Sequence, residues 1–159
     1  MDYMIAKWLH VIASTLLFGT GIGSAFYLLL TSLSREPRAV AIVARIVVIA
    51  DWMFTATTVV AQPLTGFWLV HLAGYPLTAA WLQWSIALYI VAVACWLPVV
   101  NIQIKLRNLA QQAVRDHGPL PPAYWYYFRM WIALGIPAFF AFVAVFYLMV
   151  AKPATLAWL

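Results

Sequence analysis

Charge is scarce in this chain. Only 8% of its 159 residues are Asp, Glu, Lys or Arg, four of them acidic, against 67% that are hydrophobic. A soluble core of this length cannot hide that much apolar surface. Cysteine is scarcer still: Cys95 stands alone, which excludes an intrachain disulfide and a cysteine metal cluster and leaves small-residue packing as its expected role. Four carboxylates and three histidines supply no paired-carboxylate arrangement, no Ser-His-Asp order and too few ligands for a zinc or two-metal centre. Phosphate loops are absent too, and "GTGIG" (19 to 23) lacks the strand-turn-helix context of a dinucleotide fingerprint. Soluble-type catalysis is therefore not expected. The net charge of +5 is spread along the chain rather than gathered into one basic face, so nucleic acid is not an expected partner.

What the chain has is long apolar runs, each near or above the ~20 residues that a helix needs to cross a bilayer. Four spans are predicted, at about 4–32, 39–66, 79–105 and 123–151, in a single transmembrane domain over residues 1–159. The fold class is all-α: a polytopic membrane protein built as an antiparallel four-helix transmembrane bundle. Lys7, an apolar core and "GIGSA" (21 to 25) mimic a signal peptide, but hydrophobicity continues to residue 30, which predicts an uncleaved first span. "SREPR" (34 to 38) predicts a tight turn. "QPLTG" (62 to 66) is expected to kink or end the second span, with 67–78 an aromatic interfacial segment behind it. Pro98 and Pro137 are expected to bend their helices without breaking them.

Arg35, Arg38, Arg45, Lys105, Arg107, Arg115 and Arg129 gather at or near two connections, whereas Lys7 and Lys152 lie at the opposite end. The positive-inside rule then puts both connections in the cytoplasm and both termini outside. Trp8, Trp68, Trp81, Trp84 and Trp158 are expected in an outer aromatic belt and Tyr124 to Tyr127 in an inner one. Lipid is the primary partner. Gly19 and Gly23 form a GxxxG spacing that suits a homo-oligomer contact.

Asp51, Thr55, Thr58, Gln62 and Thr65 recur at spacings of 4, 3, 4 and 3, a single helical stripe. Asp51 lies ~20 Å along the helix from Arg38, where a charge costs roughly 2.5 to 3.5 kcal/mol, so it is expected to face the bundle, paired or protonated. The first span carries a matching face with Lys7, His10, Ser14, Gly21, Ser24 and Thr31. If the hairpin turns near Glu36, His10 comes level with Gln62, Ser14 with Thr58, Gly21 with Asp51 and Lys7 with Thr65. Small and hydroxyl residues on such stripes usually serve helix packing. His10 and Asp51 suggest more, either an axial ligand to heme iron or a proton relay through Gln62. His71 joins such a site only if 67–78 folds back, and His117 is expected to be solvated. Trp52, Trp96 and Trp131 are expected to pack between helices, and Arg45, about 120° off the stripe, to snorkel.

Through "KWLHVIAS", "ADW", "QPLTGFWLV" and "RMWIALGIPAFFAFVAVFYLMVAKP" the chain resembles, along essentially its whole length, a bacterial family of four-span integral membrane proteins of unassigned function. That family distantly resembles the copper-resistance protein D family and the HemJ-type protoporphyrinogen oxidases, which bind heme b and oxidise a porphyrinogen. The resemblance implies a multi-pass protein of the bacterial inner (cytoplasmic) membrane. It implies heme b as the cofactor, His10 as the iron ligand, and Lys7 or Arg129 as contacts to acidic porphyrin groups; in a heme site at this register, Gln62 or Thr65 is expected to orient the second imidazole nitrogen. The chain departs from the HemJ pattern in having "MWIALGIP" where an Asn-Glu pair follows the arginine, and in lacking a histidine in the third helix. Heme or porphyrin contact thus carries over further than oxidase chemistry.

Two functions follow as expectations. One is a heme- or porphyrin-handling membrane protein with a redox partner. The other is a non-enzymatic subunit of a membrane complex, or a small transporter, using the Lys7/His10/Asp51/Gln62 seam.

Overall fold

The computed structural model describes residues 1–153. Four helices make up nearly all of it: α1 (Asp2–Leu33), α2 (Pro37–Ala73), α3 (Ala80–Arg115) and α4 (Pro122–Ala151). Each is long and apolar enough to cross a membrane, and no strand occurs among the described residues. Short connections make sequential helices antiparallel neighbours. Accordingly α1 packs along α2, α2 along α3 and α3 along α4, whereas α1 and α4 touch at few points.

The turns are built as their residues dictate. Glu36 caps α2 by accepting the Arg38 N–H at 3.3 Å, and Pro37 takes the first helical position. Gly74, at φ +69°, ends α2 in the left-handed conformation that glycine adopts without strain. The Tyr75 N–H then closes the cap on the Val70 carbonyl at 3.2 Å.

Helices α2 and α3 outrun the expected limits. α2 does not end at "QPLTG" but continues to Ala73, absorbing most of the segment expected to be interfacial. Pro63 has no N–H to give the Val59 carbonyl, yet that acceptor is satisfied: the Tyr89 hydroxyl of α3 donates to it at 2.6 Å. The same helix contains a π-turn over Asp51–Thr55, where the Ala56 N–H reaches back to the Asp51 carbonyl. α3 runs on to Arg115 because Leu106, Ala110 and Ala113 give its extension a buried face, packed with Leu120 and Tyr124. Its 36 residues span ~54 Å, more than the ~30 Å of hydrocarbon.

The main core joins the end of α1, the start of α2, the second half of α3 and the first half of α4, around Leu28, Val40, Val99, Leu106 and Phe128. At the end that bears the termini only Trp81, Leu82 and Leu148 form a small cluster. Packing is therefore tight toward the two basic turns and sparse elsewhere, which leaves room for cavities. The aromatic belts are partly realised. Trp8, Trp68, Trp84 and Tyr126 are exposed, but Trp81 and Tyr124 are buried, and Trp158 lies outside the described residues. Trp52, expected between helices, points outward at 59% exposure.

Candidate functional site

His10 is held from both sides by α2. Its Nδ1 lies 2.9 Å from Thr65 Oγ1 and its Nε2 3.1 Å from Gln62 Nε2. The three-residue spacing of Gln62 and Thr65 puts both on one helix face. Because the Thr65 hydroxyl donates to the Ala61 carbonyl at 2.8 Å, its lone pair is what faces Nδ1. One consistent donor order assigns Nδ1–H donating to Thr65 and the Gln62 amide donating to Nε2. Gly66 permits the close approach, since a Cβ there would sit 3.2 Å from His10 Cε1. The "QPLTG" stretch is thus a histidine cradle: Gln62, Thr65 and Gly66 hold the ring, and Pro63 frees the carbonyl that binds Tyr89.

A cavity of about 650 Å³ opens beside this cradle, lined by Lys7, His10, Gln62, Tyr75, Trp81, Tyr89 and Lys152 among others. Among the described residues no Asp or Glu lines it. Lys152 Nζ donates to the Tyr75 hydroxyl at 2.9 Å and stands 4.6 Å over the Tyr75 ring and 5.5 Å from the Trp81 centroid. Two cations, an imidazole and aromatic walls give an amphipathic pocket with a positive rim.

A second cavity of about 420 Å³ lies deeper, among Asp51, Thr55, Trp96, Gln103, Trp131 and phenylalanines of α1 and α4. Asp51 is 4% exposed and accepts the Trp96 indole N–H at Oδ2, 3.2 Å away. This inner cavity is bounded by the two places where α1 meets α4. Phe18 packs against Phe139, Phe142 and Phe146 on one side, and Ser32 bonds Tyr124 at 2.6 Å on the other. Leu17 and Phe142 line both cavities.

The hairpin register brings Lys7, His10 and Gln62 to the outer cavity and Gly21, Asp51 and Thr55 to the inner one, as their levels predict. Ser14 lines the outer cavity, but its hydroxyl turns back to the Val11 carbonyl at 2.8 Å instead of reaching Thr58. Thr58 is buried and bonds the Phe54 carbonyl. Arg129 does not join Lys7: it is exposed near the start of α4, bonded to the Trp125 carbonyl, at the other end of the bundle. His71 is exposed and lines neither cavity, and His117 is exposed in the α3–α4 turn. Around Gly19 and Gly23 no described residue lies within 4 Å of a Cβ position, so none of the four helices packs there. Sequence reasoning placed Lys152 at the same end as Lys7 but missed its bond to Tyr75, and it missed Tyr89, Trp96 as a hydrogen-bond donor and Gln103. Pro63 was the available signal for Tyr89, because its orphaned carbonyl requires a donor.

A heme iron needs an imidazole nitrogen with a free lone pair. Both nitrogens of His10 face hydrogen-bond partners, so the side chain as placed does not fit an axial ligand. Among the described residues no group of three or more His, Cys, Asp or Glu is placed to hold a metal ion.

Residues 4–153 match the family described as "Predicted integral membrane protein (DUF2269)". No curated protein and no solved structure matches the chain.

Proposed function

The chain belongs to this family of integral membrane proteins, and we propose that it binds an amphipathic anion of porphyrin type in the outer cavity. The observation that carries the reading is the lining itself: Lys7 and Lys152 with no carboxylate among the described residues, around apolar and aromatic walls enclosing about 650 Å³. A flat macrocycle with acidic side groups has the matching chemistry, its body against Trp81, Tyr89 and Phe146 and its carboxylates at the lysines. The porphyrin class comes from the resemblance to HemJ-type proteins. His10, with its nitrogens already bonded to Thr65 and Gln62, serves as a fixed polar wall rather than an iron ligand.

Binding to the protein in lipid nanodiscs, measured by tryptophan quenching against empty nanodiscs, tests this. Protoporphyrin IX should saturate, and its dimethyl ester should bind about tenfold more weakly, as should the diacid with Lys7→Ala or Lys152→Ala. An ester that binds as tightly as the diacid would overturn the reading. With heme, His10→Ala should leave the absorption bands in place; their loss would return His10 to the role of axial ligand.

A second reading, solute passage along the seam, is favoured by the residues shared between the two cavities. Flux into liposomes that is unchanged by Asp51→Asn would argue against it.

A further inference from the structure

We propose that the inner cavity is a separate binding site for a lipophilic organic cation, independent of any ligand in the outer cavity. Its central group is Asp51, 4% exposed, which has a neutral donor in Trp96 and no ion pair with any described residue. A carboxylate held in a low-dielectric bundle without a counter-charge attracts a cation far more strongly than the same group in water.

The second, independent observation is Gln103. It lines the same cavity, is 5% exposed, and its Oε1 has no hydrogen-bond partner. Such a buried, unmatched carbonyl oxygen is costly, and it presents a negative pole that a positive charge can offset without a hydrogen bond. The Thr55 hydroxyl stands beside the Asp51 carboxyl outside hydrogen-bonding geometry and is similarly unmatched. Asp51 and Thr55 stand four apart on one helix, which turns both side chains toward the same space.

The remaining walls select the kind of cation. Trp96, Trp131, Phe18, Phe139 and Phe142 surround the space with rings, whose negative faces favour a weakly hydrated positive charge. A hydrated metal ion finds only one carboxylate there and no metal-binding group among the described residues. Anions are repelled by Asp51. An organic ammonium or phosphonium with aromatic or alkyl arms satisfies both the charge and the apolar lining. Its access lies between α1 and α4, where Phe26, Phe139 and Phe140 line the cavity and are also exposed on the outside, away from Lys7 and Lys152.

Tetraphenylphosphonium is the probe, with tetraphenylborate as a control of the same shape and opposite charge. Isothermal titration on the purified full chain should show saturable phosphonium binding and at least tenfold weaker borate binding. Asp51→Asn should weaken the phosphonium tenfold or more. Gly21→Leu, at a lining position where a Cβ meets nothing within 4 Å, fills the cavity without touching the charge and should abolish binding. If Asp51→Asn does not fold, Gly21→Leu and Gln103→Leu carry the test, the latter with a several-fold loss. Equal affinity for the borate, or phosphonium binding that survives both Asp51→Asn and Gly21→Leu, would overturn the site.

Discussion

Single residues in this bundle are held by what their neighbours lack. Pro63 removes an amide from the ladder of α2, the Val59 carbonyl is left without its helical partner, and the Tyr89 hydroxyl of α3 takes its place at 2.6 Å. Tyr89→Phe should therefore destabilise the protein by about 1 kcal/mol, the range of interhelical hydrogen bonds in membranes. Pro63→Ala restores the amide, so in that background Tyr89→Phe should cost much less. Thermal unfolding of the four proteins of this cycle in detergent measures the coupling; additive losses would show that the hydroxyl matters for another reason. Gly66 is held in the same way by His10. A methyl at that position stands 3.2 Å from the ring carbon Cε1, so Gly66→Ala should push the imidazole off Gln62 and Thr65. The imidazole ¹⁵N shifts of His10 should then move toward those of a solvated histidine, with about 1 kcal/mol lost.

At the scale of elements, α2 is the organising helix, and its two irregularities do different things. The π-turn at Asp51–Thr55 adds one residue to the helix and so sets the phase of everything after it. Deleting Met53, an exposed residue inside that turn, should restore an ordinary α-helix and leave Gln62 and Thr65 facing His10, because the deletion removes the residue that the π-turn absorbs. The expected outcome is a folded helix by circular dichroism with the bonded His10 ¹⁵N signature retained; its loss would sink the argument. Hydropathy made the four helices legible, because each crosses hydrocarbon and must be apolar along its length. Depth along the hairpin was legible too, since a tight turn at "SREPR" fixes which residues of α1 and α2 share a level, and His10 does meet Gln62 and Thr65. What was not legible depends on a third helix. The partners of Val59 and Asp51 both come from α3, and nothing in the numbering of α1 and α2 says which of its faces turns inward. Helix α2 runs beyond the expected residue 66 to Ala73 because inside a membrane bundle a neighbour's hydroxyl can satisfy the carbonyl that Pro63 frees.

On the scale of the whole molecule, two cavities of opposite character are stacked along the loosely joined seam between α1 and α4. Among the described residues the outer one has lysines and no carboxylate, the inner one a carboxylate and no lysine or arginine in its lining. Which cavity faces which compartment depends on orientation, and the charges outside the cavities decide that. Arg35, Arg38 and Arg45 stand at and after the α1–α2 turn, and Lys105, Arg107, Arg115 and Arg129 stand on the helix ends around the α3–α4 turn. By the positive-inside rule, seven basic residues on one side against Lys7 and Lys152 on the other predict both turns on the cytoplasmic side and the lysine-lined cavity at the outer face. In a Cys95→Ser background, a cysteine introduced at Tyr75, at the α2–α3 connection, should react with a membrane-impermeant maleimide in intact cells. One introduced at Gly118, in the α3–α4 turn, should react only after lysis. The reverse pattern would invert the bundle, and the cavity with Lys7 and Lys152 would then draw its anion from the cytoplasm. The orientation has a charge-reversal test as well. Replacing Arg35 and Arg38 with Glu removes part of the basic bias beside the first hairpin and should yield a mixed labelling pattern at Tyr75→Cys, whereas the same change at Lys7 should leave it uniform.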